Sequence, residues 1–459
     1  MSRLPSEQFL RRGDDIAPGF EISISGRDTS EATSLFSAVR PLVQSVVYEE
    51  DEEMSSLMEI NIINQPDTGP GRPVDWRAVI DSKAFQEGNF IDLWMGYGNS
   101  RHFMDRGEIV KWLPRFSSDG PQTITLKAFD GRHRMARGNQ FRVRIGKGKK
   151  QRKTAYRNTP DEDIVKRIAQ KYGYGVRFDI PEARKKKTSV LTSVNGVPKK
   201  IVRHVFPTRV QGSGVSDWDF LRRLAEINRF DLWVQFDPFD DNFVVNFKQR
   251  LDTGPPRFLF TYNPNDPGDE PGSLLEAEPD FSINDQVTDV EVLLYDRKRR
   301  VIERTTISDA NPEEDLKLSS KRVGPGQLKA KKSIQVGARV RFSAFGQVNE
   351  AISDMPFRNK KQAANFVQNF LRERERDFLL LSGTIVGLPL LRARDTHEIR
   401  GLGQRIDGIY RFINVRHEMQ PGSIYRTTFT AHKVLTNNVA RRSPTTRVEI
   451  GTAIILAAG

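Results

Sequence analysis

Apolar and polar positions alternate along most of the chain, and the period changes only in short interludes. Phe20, Ile22 and Ile24 alternate, Glu59–Ile63 repeats the pattern, and three longer runs follow at Phe90–Tyr97, Gly107–Trp112 and Thr123–Phe129. Each run predicts a strand with one buried face, and the Asp-Gly pair inside Ser117–Gly120 marks a hairpin between the last two. Strands at this spacing, with no helical pattern between them, predict a barrel or sandwich over residues 20–145. The period then lengthens. Thr159-Pro160-Asp161-Glu162 predicts a capping box, with Ile164, Val165, Ile168, Ala169 and Tyr172 on one helical stripe and Gly173 as the stop. Ser216, with Asp219 three residues on, predicts the start of a second helix whose stripe is Trp218, Phe220, Leu221, Leu224, Ala225 and Ile227.

Strands at Val176–Ile180, Leu232–Phe236 and Asn242–Phe247 complete an α/β middle region over 146–280. Thr253–Gly272, rich in Pro, Gly and Asp, reads as a long connector. The pattern is β again over 281–435. It offers Val287–Tyr295, Arg339–Phe342, a helix at about 359–377, Phe378–Val386, and a final pair of long strands joined by Gln420–Ser423. Residues 1–19 form a polar arm and 436–459 a tail that ends in an apolar run. The second β stretch echoes the first. Gly408 opens a strand, turn and strand, as Gly107 does, which points to two similar β modules flanking the α/β insert.

Composition narrows the chemistry. The 459 residues contain no cysteine, which excludes disulfides, thiolate metal sites and a cysteine nucleophile. No apolar run approaches the length of a membrane span, and residues 1–19 are too polar for a signal peptide, so no membrane anchor and no Sec-type export are expected. The net charge of +13 is unevenly spread. Ten Lys or Arg and no acid lie between Arg132 and Lys153, with further knots at Arg184–Lys187 and Arg297–Arg300. Glu49–Glu53 is a run of five acids, and 266–278 is acidic. Specific nucleic-acid binding would interleave stacking aromatics with the basic residues. These clusters lack them, so solvated connectors or subunit-contact patches fit better, with a basic lumen or docking face acting by its long-range field as the remaining reading.

Catalytic patterns are missing. The six histidines, His102, His133, His204, His397, His417 and His432, form no HExxH or other metal-spaced pair. His417 and His432 lie in neighbouring expected strands and could meet, but packing roles suit them better than ligation. There is no nucleophile elbow, and Gly146–Lys150 is a basic turn with the wrong spacing for a phosphate loop. Catalytic, cofactor and metal residues are therefore all expected to be none. The apolar run Val448, Ile450, Ile454, Ile455 and Leu456 has strand character, would be an aggregation liability if bare, and is the expected partner interface.

The closing segment, GLGQRIDGIYRFINVRHEMQPGSIYRTTFTAHKV over Gly401–Val434, carries a G-x-G-x-x-x-x-G-x-Y pattern before its strand, histidine, turn and strand. It resembles the end of the phage late-control and baseplate-hub family, found in contractile tails and type VI secretion spikes. Other landmarks of that family occur in the same order. They are Gly88–Tyr97, Gly107–Val110, Thr123–Asp130, the helix from Asp163 to Gly173 and the helix Ser216–Ala225.

The resemblance implies a mainly β fold with α+β insertions: two similar tail-tube-like β-barrel domains flanking a smaller α/β middle region. It also implies a structural homotrimer whose six barrels match a six-fold tail tube above and a three-fold spike below. The implied partners are the central spike, tail tube or tube-initiator proteins, baseplate wedges and the tape measure protein. DNA would cross the lumen without sequence-specific binding. The implied location is the virion tail baseplate, after synthesis in the host bacterial cytoplasm. A hub or spike component of a type VI-like secretion or tailocin machine is the alternative, and a basic nucleic-acid-binding protein a more distant one.

Overall fold

The computed structural model describes residues 17–26, 39–64, 76–81, 83–118, 120–137, 154–179, 187–194, 197–204, 206, 208–212, 214–250, 255–262, 273–284, 286–287, 289–296, 301–308, 328–329, 349–357, 360–420 and 425–434. The chain is mainly β, as its alternation predicts, and divides into two compact units. The first is built from Ala17–Leu251 with Glu418–Ile424, the second from Asp252–His417 with the residues from Tyr425 on.

In the first unit, β1 (Pro18–Ser25), β2 (Val43–Asp51), β3 (Leu57–Asn64), β4 (Phe90–Tyr97), β5 (Ser100–Arg115) and β6 (Gln122–Phe129) form one antiparallel sheet ordered β1-β4-β5-β6-β3-β2. Period-2 alternation sends Ile22, Ile24, Val46, Ile60, Ile62, Leu93, Ile124 and Leu126 to its buried face. Each such side chain contributes about 1.5–3 kcal/mol on burial. The five-acid run forms the end of β2 and the turn after it. There Asp51 Oδ1 accepts from the Glu53 and Met54 amides at 2.7 and 2.8 Å, and Glu52 meets Arg250 at 2.8 Å. The cluster is thus largely consumed within the fold.

The α/β part of this unit holds β7 (Thr154–Tyr156), β8 (Gly175–Asp179), β9 (Lys187–Val194), β10 (Val197–His204), β11 (Arg209–Gln211), β12 (Phe230–Asp237) and β13 (Asn242–Gln249). Strands β12, β13 and β8 form a small sheet under the helices Asp161–Lys171 and Asp217–Asn228. Ser216 caps the second helix as expected, its Oγ accepting from the Asp219 amide at 3.0 Å. Ser216→Ala should cost about 1 kcal/mol, read as a lowered urea midpoint of the first unit.

Other expectations fail for local reasons. The capping box at Thr159 does not form. Pro160 takes the cap position, and the Thr159 hydroxyl donates instead to the Arg157 carbonyl at 3.1 Å. Ile227 leaves the apolar stripe and is 59% exposed in the last helical turn. The basic connector between the helices contains the β9–β10 hairpin. Of the Arg132–Lys153 run, Arg132–Ala136 is a short helix, in which Arg132 is buried with its guanidinium 4.4 Å from the Trp218 ring; residues 138–153 lie outside the described residues.

The second unit contains β14 (Leu259–Thr261), β15 (Leu274–Phe281), β16 (Asp289–Asp296), β17 (Val301–Ser308), β18 (Leu328–Lys329), β19 (Asn349–Phe357), β20 (Leu379–Val386), β21 (Thr396–Arg400), β22 (Gly408–Met419) and β23 (Tyr425–Lys433). The expected connector Thr253–Gly272 therefore carries a strand, and its Phe258 and Phe260 are core residues. The expected strand Arg339–Phe342 lies outside the described residues. The helix Lys360–Arg376 packs Ala363, Val367 and Leu371 against Val290 and Val292 of β16. In β22 the alternation slips by one residue: Tyr410 and Phe412 are buried, then Val415 and His417.

Strands β22, β23, β20 and β15 are successive neighbours, and β21 pairs with β22. In chain order, β15, β20, β21, β22 and β23 therefore lie first, second, fifth, fourth, third across their sheet. In the first unit β2, β3, β4, β5 and β6 lie in the same order. The echo seen in sequence is thus a repeat of strand order. Strand β15 has no neighbour beyond β20 among the described residues. The Ser282 amide bonds to the Phe378 carbonyl across this pair at 3.1 Å, so the nitrogen of Pro279, three residues earlier, faces the open side. Proline there removes a donor from the bare edge, and exposed Glu276, Glu278 and Asp280 add charge.

Candidate functional site

Titratable side chains converge where the first sheet meets the α/β part of its own unit. Asp105 of β5 is buried, and its Oδ1 accepts from the amides of Phe236 and Arg106, each at 2.9 Å. Asp130, after β6, accepts from the Ser56 and Arg132 amides at 2.9 Å. Burial pushes both carboxyls above their ordinary range, and Asp130 raises Asp105 further. Glu108 lies 2.9 Å from His133 Nε2 and 2.5 Å from Arg134 Nε. Burial opposes its ionisation, but those hydrogen bonds and charges outweigh it and hold the carboxyl at about 2. A cavity of about 620 Å³ opens beside this knot, lined in part by Met54, Leu57, Phe129, Arg132 and His133. The carboxylates face backbone amides and cations that fix the short Arg132–Ala136 helix and β12. That is the chemistry of a structural joint.

The second unit buries two histidines. Leu391 O lies 3.1 Å from His417 Nε2 and, being a carbonyl, can only accept, so Nε2 carries the proton. Nδ1 then accepts from the hydroxyls of Tyr425 and Thr427 at 2.8 and 3.0 Å. His417 is a satisfied core histidine, held by burial and by Arg392 at about 3. His397 stacks on Phe258 with 5.4 Å between ring centroids and meets Phe412 edge-on at 4.6 Å, and neither of its ring nitrogens finds a hydrogen bond. It too is held at about 3, chiefly by burial. His432, also buried, sits opposite Leu380 of β20. Among the described residues no three His, Cys, Asp or Glu are placed to share a metal ion, and no helix is long and apolar enough to cross a membrane.

The glycine pattern before β22 has a conformational cause. Gly401 and Gly403 sit at φ +93° and +100°, in the region other residues avoid. A Cβ on Gly401 would lie 2.2 Å from the Tyr262 carbonyl oxygen. The turn they permit closes on itself: the Ile406 and Asp407 amides bond to Gly403 O at 2.9 and 2.8 Å, and the Leu402 amide to Asp407 Oδ1 at 2.8 Å. Gly401→Ala should destabilise the second unit by at least about 2 kcal/mol, with strain and clash adding, and thermal melting would read it. The expected interface residues Val448, Ile450, Ile454, Ile455 and Leu456 lie outside the described residues.

No protein-family model and no curated protein matches the chain. Solved structures do. A tail protein from Neisseria meningitidis MC58 superposes with a TM-score of 0.55 at 10% identity, over 92% of this chain and 99% of that one. The 43 kDa tail protein of prophage MuSo2 from Shewanella oneidensis gives 0.51 at 11% identity, over 85% and 93%. The chain has the fold of these phage tail proteins. At such identities the shared property is the backbone plan, which the resemblance read from Gly401–Val434 anticipated. Side-chain roles in this tail-protein fold rest on this chain's own geometry.

Proposed function

We propose that the chain is the central hub of a contractile-tail baseplate, a structural protein with no catalytic step. Two similar barrel domains, over 20–145 and 281–435, would flank the α/β middle region. Three copies would then close a ring of six barrels, joining a six-fold tube to a three-fold spike around the channel through which DNA leaves. The repeated strand order of β2–β6 and of β15 with β20–β23 carries this reading, because a duplicated module lets three chains present six equivalent surfaces.

Purified full-length protein should run as a trimer by light scattering and appear in electron micrographs as a three-fold ring with six lobes. A compact monomer at every concentration rejects the hub. The tail run Val448–Leu456 would dock on the spike or a neighbouring copy by adding a strand. Ending the chain after Thr446 should then weaken trimerisation or spike attachment, and unchanged assembly in both assays would sink that role. Wedges, tube and tape measure would be the remaining neighbours in the virion.

A further inference from the structure

The turn between β12 and β13, residues 238–241, holds a bare aromatic ring on a fixed mount. Phe239 is 97% exposed. Its amide donates to Asp237 Oδ1 at 2.9 Å, while the other oxygen of Asp237 pairs with Arg177 of β8. On the far side of the turn, Asp241 meets Arg106 of β5 at 2.9 Å, and Asn242 Nδ2 donates to the Gly173 carbonyl at 2.8 Å. A stray apolar side chain on a surface is ordinary. A ring whose backbone is already tied down loses less freedom on binding, which suits an interface anchor.

The same unit carries a receptacle. The cavity of about 620 Å³ described above has apolar walls at Met54, Leu57, Val110 and Phe129. None of these side chains is fully buried: Met54 is 61% exposed, and the other three are half-buried. Phe239 is too exposed to fill the cavity of its own chain. Exposed Arg137 stands on the lip, as exposed Asp240 stands beside Phe239. Glu49 and Asp51 also line the cavity, but Asp51 Oδ1 is occupied by the Glu53 and Met54 amides.

A three-fold ring cannot be built from one patch that meets itself. Each copy must offer two different surfaces that complement one another. We propose that Phe239 of one copy enters this cavity on the next, with Asp240 against Arg137, and that this head-to-tail contact closes the ring. The volume admits a phenyl ring with Pro238 beside it. Burial of such a ring withdraws about 150–250 Å² from water at each contact. The inference rests on the three-copy ring proposed above.

Phe239→Ala, checked for a native circular dichroism spectrum, should raise the concentration at which half the protein is trimeric by at least tenfold. Sedimentation or light scattering over a dilution series reads this. The cysteine-free sequence allows a direct test of the contact with the anchor left in place. Asp240→Cys combined with Arg137→Cys, oxidised and run on a denaturing non-reducing gel, should give a covalent trimer. A disulfide needs Cα atoms within about 7 Å, so each single variant should stop at a dimer or stay a monomer. Wild-type assembly by Phe239→Ala, or no covalent trimer from the double variant, overturns the contact while a trimeric wild type leaves the hub standing. Wild type that is monomeric at every concentration overturns both.

Discussion

Replacing His397 with phenylalanine is expected to stabilise the second unit by about 1–3 kcal/mol at neutral pH and to flatten its response to acid. The imidazole is fully buried among Phe258, Phe260 and Phe412, and neither nitrogen is bonded. Burying an unsatisfied polar group costs about that much, and a phenyl ring fills the same aromatic box without it. The acid response follows from linkage. His397 and His417 are held at about 3, below the ordinary histidine value, so the unfolded chain takes up their protons first. Their contribution to stability is present above pH ~6.5 and is lost as pH falls toward 3. The slope approaches about 1.4 kcal/mol per pH unit for each once pH is well below 6.5, so two cost about 3 kcal/mol between pH 6.5 and 5.

Asp105 and Asp130 of the first unit respond in the opposite sense. Their carboxyls are raised by burial, so they add stability as pH falls. Glu108, held at about 2, withdraws its contribution only below pH ~4.5, so above that pH the second unit should weaken first on acidification. Urea titrations from pH 7 to 4, on wild type and His397→Phe, would show it, and parallel pH profiles for the two proteins would refute the assignment.

Arg106→Ala should cost the first unit about 3 kcal/mol. The guanidinium grips Asp92 with two bonds of 2.5 and 2.9 Å, reaches Asp241 at 2.9 Å, and lies 3.8 Å from the Phe236 ring centroid. One side chain thus fastens β4, the β12–β13 turn and β12 to β5. Its removal strands a buried carboxylate at Asp92, which is the expensive way to break a buried pair. Lysine should rescue little, because it offers neither the two-pronged fork nor a flat cation for the ring. Arg106→Met combined with Asp92→Asn should recover part of the loss, since removing both charges leaves nothing unpaired. Thermal melts of the three variants test this, and equal melting of Arg106→Ala and wild type would exclude the clamp.

The elements that sequence made legible are those whose period is undisturbed by function or crowding. Strands β3 and β6 alternate cleanly because one face is core and the other largely polar. The Asp217–Asn228 helix declared itself through Ser216 and its stripe. Strand β14 was hidden because three residues between prolines look like a loop until β21 pairs with them. The β9–β10 hairpin was hidden by Lys187 at the start of β9 and by Lys199 and Lys200 within β10. Thr159 misled because proline beside it took the capping geometry. The glycines at 401 and 403 were legible as a pattern, but their cause, a backbone pressed against Tyr262, needs the folded chain. The histidines offered no signal of burial, since their isolation in sequence suits a core residue and a surface residue equally. The hydrogen-bonded row of Ser45, Asn61 and Thr125 across β2, β3 and β6 was invisible for a different reason: the three are far apart in the chain and become a row only through register.

Pro279 and its acidic neighbours on β15 bear on how the chain behaves at high concentration. A bare strand edge invites identical copies to stack without limit, and each collision in a crowded cell is a chance to do so. An edge that lacks a donor at its middle and repels its own image is a poor seed for such growth. The chain is thereby guarded against edge-to-edge growth on copies of itself, so a high concentration of it need not end in aggregates.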